Sequence, residues 1–125
     1  MSVMRKKLSI ICLAAVLLTA CGEQHKAEGI IEKFLDANLL NNDYQVSYGK
    51  LGSTRKLDDQ KLRQMQNASN TDKLFKHPIH YGAYVELGEL RYLKTTIIHE
   101  QDTFVRTIYL HPELREDGVM AVKEN

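Results

Sequence analysis

The stretch Arg91-Tyr-Leu-Lys-Thr-Thr-Ile-Ile-His-Glu-Gln-Asp-Thr-Phe-Val-Arg-Thr-Ile-Tyr-Leu-His111 decides the fold. β-Branched and aromatic residues fill both halves, and a polar segment, Glu100–Thr103, divides them. Two strands joined as a hairpin, Arg91–His99 and Phe104–His111, follow from that pattern. Pairing His99 with Phe104 puts Ile97 opposite Arg106, Thr95 opposite Ile108 and Leu93 opposite Leu110. The other face then pairs Ile98 with Val105, Thr96 with Thr107 and Tyr92 with His111. The first face is the more apolar and suits a packed core. The second, rich in Thr and Tyr, suits partial exposure. Arg106 sits badly on the first face, so a slipped register stays open.

Working outward, Tyr81–Leu90 and Val119–Val122 also read as strands, and Pro112 opens a connection that closes on the turn signal Asp117-Gly118. Upstream, Tyr44-Gln-Val-Ser-Tyr48 alternates cleanly, and Gly49, Gly52 and Ser53 end it. Ala27–Leu40 reads as a helix. Ala27, Ile30, Ile31, Phe34, Leu35 and Leu39 recur at three- and four-residue steps and form one stripe. Asn41-Asn42-Asp43 stops it. Asp58 or Asp59 caps a second, shorter helix to about Ala68. Its apolar contacts are Leu62, Met65 and Leu57, so weak docking is expected. The expected class is α+β: an N-terminal amphipathic helix on an antiparallel sheet of about four strands, plus a short second helix. This layout resembles the cystatin-like and nuclear-transport-factor-like folds.

The 125 residues allow one domain. A hydrophobic fraction of 43% is too high for a disordered chain, and a net charge of +1 is too balanced for a nucleic-acid binder. The first residues carry a separate message. Arg5, Lys6 and Lys7 precede an apolar run, Leu8–Ala20. As a helix, 13 residues reach roughly 20 Å. A bilayer core is about 30 Å thick, so the run fits a secretory signal better than a membrane span.

That run ends in Leu18-Thr19-Ala20-Cys21-Gly22, which resembles the lipobox of bacterial lipoproteins. The resemblance implies cleavage between Ala20 and Cys21, a thioether-linked glyceride on the Cys21 sulfur and acylation of the new amine. It divides the chain into a cleaved signal (1–20), a lipidated cysteine with a polar tether (21–26) and a single domain (27–125). Five extended tether residues span at most about 18 Å. In enteric-type lipoproteins an Asp after the cysteine retains the protein in the inner membrane. Gly22 stands there instead, which implies the outer membrane of a bacterial envelope. The stretch Tyr44–Leu51 after an amphipathic helix is also similar to small bacterial lipoproteins of no known activity, over about 25 residues in all.

Cleavage would remove Cys12, and lipid would consume Cys21. The mature chain would then carry 14 basic against 16 acidic residues and no free thiol, which excludes Cys-ligated zinc and iron–sulfur clusters. Among the histidines, His77-Pro-Ile-His80 has a metal-like spacing. Pro78 opposes a helix there, and a strand would point the two rings to opposite sides. No metal or other cofactor is expected. Glu86 and Glu89, and Glu113, Glu116 and Asp117, read as solvated carboxylates rather than a tuned acid–base pair. Ser47, Ser53 and Ser69 lie in no nucleophile elbow, and no phosphate loop is present. No catalytic residue is assigned. The tyrosines at 44, 48, 81, 84, 92 and 109 fall on expected strands, where sheet packing is their usual use.

Charge distribution is more informative. Residues 50–76 hold seven basic groups against three acids, a net of +4, whereas residues 22–49 and 77–117 each sum to −3. Lys50, Arg55, Lys56, Lys61 and Arg63 are therefore candidates to contact an anionic lipid, cell-wall polymer or acidic protein. The expected role is a lipid-anchored, non-catalytic envelope binding or accessory module. An inhibitor of a secreted or host hydrolase, a small hydrolase using Glu or His residues, and a structural spacer are the alternatives. A concave face would favour the module, and a protruding loop the inhibitor.

Overall fold

The computed structural model describes residues 18–56, 58–82 and 89–125. The elements run α1 (Leu18–Asn38), β1 (Gln45–Tyr48), β2 (Gly52–Lys56), α2 (Asp59–Ala68), a 3₁₀ turn (Ser69–Thr71), β3 (Glu89–His99), β4 (Asp102–Leu110) and β5 (Val119–Glu124). The five strands form one antiparallel sheet. β1 and β2 share one side of β3, and β4 then β5 lie on the other. The class is α+β, with one strand more than the four expected. Of the candidate strand at 81–90, Glu89 and Leu90 open β3. Tyr81 and Gly82 lie outside any strand, and 83–88 fall outside the described residues.

The central hairpin is slipped by two residues from the expected register. His99 pairs with Asp102, Ile97 with Phe104, Thr95 with Arg106 and Leu93 with Ile108. A two-residue loop, Glu100–Gln101, closes it, and Glu100 takes φ 58°. A positive φ at the first loop residue belongs to the turns whose twist matches a hairpin. Because side chains alternate with period two, a slip of two keeps every residue on its expected face. Leu93, Ile97, Ile108 and Leu110 are thus all buried as foreseen.

That inner face packs on α1. Ala27, Ile30, Ile31, Phe34, Leu35 and Leu39 are buried against it in one cluster with Val46, Phe75 and Val122. Each of the larger side chains, from valine to phenylalanine, contributes about 1.5–3 kcal/mol when fully buried. Asn38 ends α1. Its Nδ2 donates to the Phe34 carbonyl at 3.0 Å, and its Oδ1 accepts from the His80 amide at 3.1 Å. The segment after α1 is held by the chain at 74–76. Leu40 N donates to Leu74 O at 3.1 Å and Lys76 N to Asn38 O at 2.7 Å.

At its other end α1 departs from the sequence expectation. Helix begins at Leu18 rather than Ala27, so residues 22–26 are helical and not an extended tether. The Gln24 amide holds them to the sheet: Nε2 donates to Gly49 O at 2.9 Å, and Oε1 accepts from Leu51 N at 2.8 Å. Arg91 adds an ion pair to Glu23 at 3.3 Å. No helix among the described residues is long and apolar enough to cross a membrane.

The second helix occupies the opposite face of the sheet. Asp58 caps it, accepting from the Lys61 amide at 2.8 Å. Leu62 is buried with Leu90, Met120 and Ala121, and Met65 and Tyr109 pack around them. Gln66 Nε2 donates to the Met120 carbonyl at 2.7 Å. Leu62, only 1% exposed, is the one buried side chain of α2. From α2 the 3₁₀ turn brings the chain back to the inner face, where Phe75 joins the α1 core.

Candidate functional site

At the C-terminal end of α1 the helix, the 71–74 segment and the β3–β4 hairpin enclose an open groove of about 440 Å³. Leu39, Leu40, Tyr44, Leu74, Ile97 and Phe104 give it apolar walls. Leu40, one of these lining residues, is 63% exposed.

The floor is ionic. Asp72 and Arg106 line the groove, and both are buried. Arg106 Nε donates to Asp72 Oδ2 at 2.8 Å and its Nη2 to Oδ1 at 2.9 Å, a bidentate fork. Its Nη1 donates to its neighbour's carbonyl, Val105 O, at 3.0 Å, and the guanidinium carbon lies 5.8 Å from the centre of the Phe104 ring. Asp72 Oδ1 also accepts from Leu74 N at 3.1 Å. The misfit read at Arg106 is therefore resolved by a partner 34 positions earlier in the chain.

His99 stands at the rim. Its Nδ1 lies 2.7 Å from Asp43 O, and its Nε2 lies 3.1 Å from Asn41 Nδ2. A ring carrying its proton on Nδ1 satisfies both contacts. The other histidines are dispersed. His77 Nε2 contacts Asp72 O at 2.8 Å, His80 is exposed, and His111 Nδ1 accepts from the Glu113 amide at 3.0 Å. Among the described residues no three His, Cys, Asp or Glu side chains gather to hold an ion.

The charge-based site residues are spread over the β1–β2 loop, β2 and α2. Lys50 lies exposed in the loop after β1, Arg55 and Lys56 lie on β2, and Lys61 and Arg63 lie exposed on α2. Arg63 pairs with Asp59 at 2.9 Å, one turn before it. Lys61 shares a second groove, of about 530 Å³ on the outer face, with Thr54, Met65, Tyr109 and Lys123. Burial pushes the Tyr109 hydroxyl pKa up, and Tyr92 beside it raises it further. Of the carboxylates, Glu113, Glu116 and Asp117 are exposed, with Glu116 paired to Lys33 at 3.3 Å, and Glu86 lies outside the described residues. Ser69 is buried and accepts a hydrogen bond from the Tyr81 hydroxyl at 2.8 Å. Ala20 and Cys21 fall in the first turn of α1.

The apolar groove itself went unread in the sequence. Its one signal was Arg106 on a core-facing position. A cation there demands a buried anion, but the loop position of Asp72 carries no periodicity that would nominate it. No protein-family model, curated protein or solved structure matches this chain.

Proposed function

We propose that the protein is a lipid-anchored, non-catalytic binding module of the bacterial envelope, held in the outer membrane through Cys21. It recognises its ligand in the groove at the C-terminal end of α1. The observation that carries the binding role is the groove's construction. Apolar walls and an exposed Leu40 favour an apolar group, while the Arg106–Asp72 fork fixes the floor. Few convergent polar groups in a mostly apolar concavity is the usual form of a binding site. The anchor is supported by the lipobox-like Leu18-Thr19-Ala20-Cys21. A concave face also favours the module over the inhibitor, for which a protruding loop is the expected feature.

Photo-crosslinking in the native envelope tests the binding role. A photoreactive residue at Leu40 is expected to capture a defined species that the same residue at Lys33, on the solvent side of α1, does not. Identical adducts from both positions, or none from Leu40, would count against the groove as a binding site.

A further inference from the structure

We propose that the domain has a fixed membrane-facing surface, formed by the first turns of α1 and the segment 49–56, which rests on anionic phospholipid headgroups. This rests on the lipid anchor at Cys21 and adds an orientation to it. A lipidated cysteine followed by a loose tether would leave the globule free to tumble, whereas in the uncleaved chain the residues after Cys21 continue α1.

Residues 22–26 are helical. They rise about 7.5 Å at the helical spacing, against the 18 Å or so available to an extended chain. They are also clamped from the side. The Gln24 amide bridges Gly49 O and Leu51 N at 2.9 and 2.8 Å, and Glu23 pairs with Arg91 on β3 at 3.3 Å. Cys21 lies less than one turn before Gln24 in the same helix. Acyl chains on Cys21 would thus draw the Gly49–Leu51 loop and neighbouring β2 to the bilayer.

The charge of that surface fits the occupant. In sequence, residues 22–28 and 49–56 carry Lys26, Lys50, Arg55 and Lys56 against Glu23 and Glu28, a net of +2. Glu23 is already engaged by Arg91, and Lys26 and Lys50 are exposed. Basic groups held within a Debye length of an anionic bilayer, about 8 Å in physiological salt, are attracted to it. The groove lies at the far end of the same helix. From Cys21 to Asn38 α1 advances about 26 Å. A domain seated in this way presents the groove at a fixed height above the lipid.

The chain contains no tryptophan, so a single introduced indole reports position cleanly. Lipidated protein carrying either Ser53→Trp or Leu40→Trp is reconstituted into vesicles containing brominated phosphatidylcholine, with or without phosphatidylglycerol. Strong quenching is expected at position 53 and little at position 40 on phosphatidylglycerol vesicles. Quenching at position 53 should fall in high salt and in the Lys26→Glu/Lys50→Glu variant, while the protein still sediments with the vesicles. Gln24→Ala, which releases the clamp and leaves the charges intact, should lower it as well. Equal quenching at both positions, or quenching at 53 that ignores salt and charge reversal, would overturn the proposal and leave the anchor standing. Protein that stays in the supernatant with an unmodified Cys21 would overturn both.

Discussion

Arg106 occupies a position where the strand pattern calls for an apolar side chain, and Asp72 makes it tolerable. Both are largely desolvated, so removing either partner strands a buried charge. Arg106→Met or Asp72→Asn alone is expected to cost about 3–5 kcal/mol in urea unfolding. The double variant should cost much less than the sum, since no orphan charge remains. Additive losses would mean that the fork does not couple the two residues. The sequence exposes half of this pair, because Arg106 breaks an apolar face. Asp72 follows a 3₁₀ turn, where an aspartate is ordinary and invites no comment. Tyr81 yields a second expectation. Burial raises its pKa above the ordinary value near 10, opposed in part by its bond to Ser69. A raised folded pKa contributes stability that is present below pH 10 and lost as pH climbs through the folded value. Denaturation midpoints should therefore drop above pH 10, and Tyr81→Phe should flatten that drop. An unchanged slope in the variant would contradict the shift.

At the scale of elements, periodicity carries the long pieces and fails on the short ones. The α1 stripe and the hairpin are legible because each buries a regular pattern, and the short α2 is legible from its Asp58 cap. β2 is not. Gly52-Ser-Thr-Arg-Lys56 has no alternation of apolar residues and pairs with β3 through an irregular register. Gly52 looks like strand-end punctuation but is in fact covered by an aromatic ring. A Cβ there would meet the Tyr92 ring at 2.7 Å. The hairpin register was missed by two because composition marks the polar segment without fixing which two residues turn. Glu100→Gly tests the turn that the structure contains. A non-glycine residue at φ 58° is disfavoured, so glycine should stabilise the hairpin by about 0.5–1 kcal/mol. A loss of stability would speak for a different turn. For α2 the test is Leu62→Ala, expected to cost about 2–4 kcal/mol and to loosen α2 from β5 in amide exchange. A loss confined to a few tenths would return α2 to the weakly docked helix its sequence suggests.

Across the whole molecule, a sheet with α1 on one face and α2 on the other gives the two ends of α1 different surroundings. The clamped end, with Gln24 locked to the 49–51 loop, lies beside the residue expected to carry lipid. The other end closes an apolar groove over a buried ion pair. Fold class was legible because one stripe and one sheet face must cover each other. The groove was not, since a concavity arises from where elements stop, and stops are weakly encoded. The helical continuation through residues 22–26 was hidden for a related reason. Gly22 to Lys26 is wholly polar, and its partners are a loop and a strand end far along the chain. The proposed membrane anchor depends on Cys21. The most direct test is the intact mass of protein extracted in detergent from its native membranes. A chain that starts at Cys21 and carries a glyceride thioether with an acylated amine is the expected result. A mass corresponding to the bare polypeptide, or to a chain that begins at Met1, would contradict it.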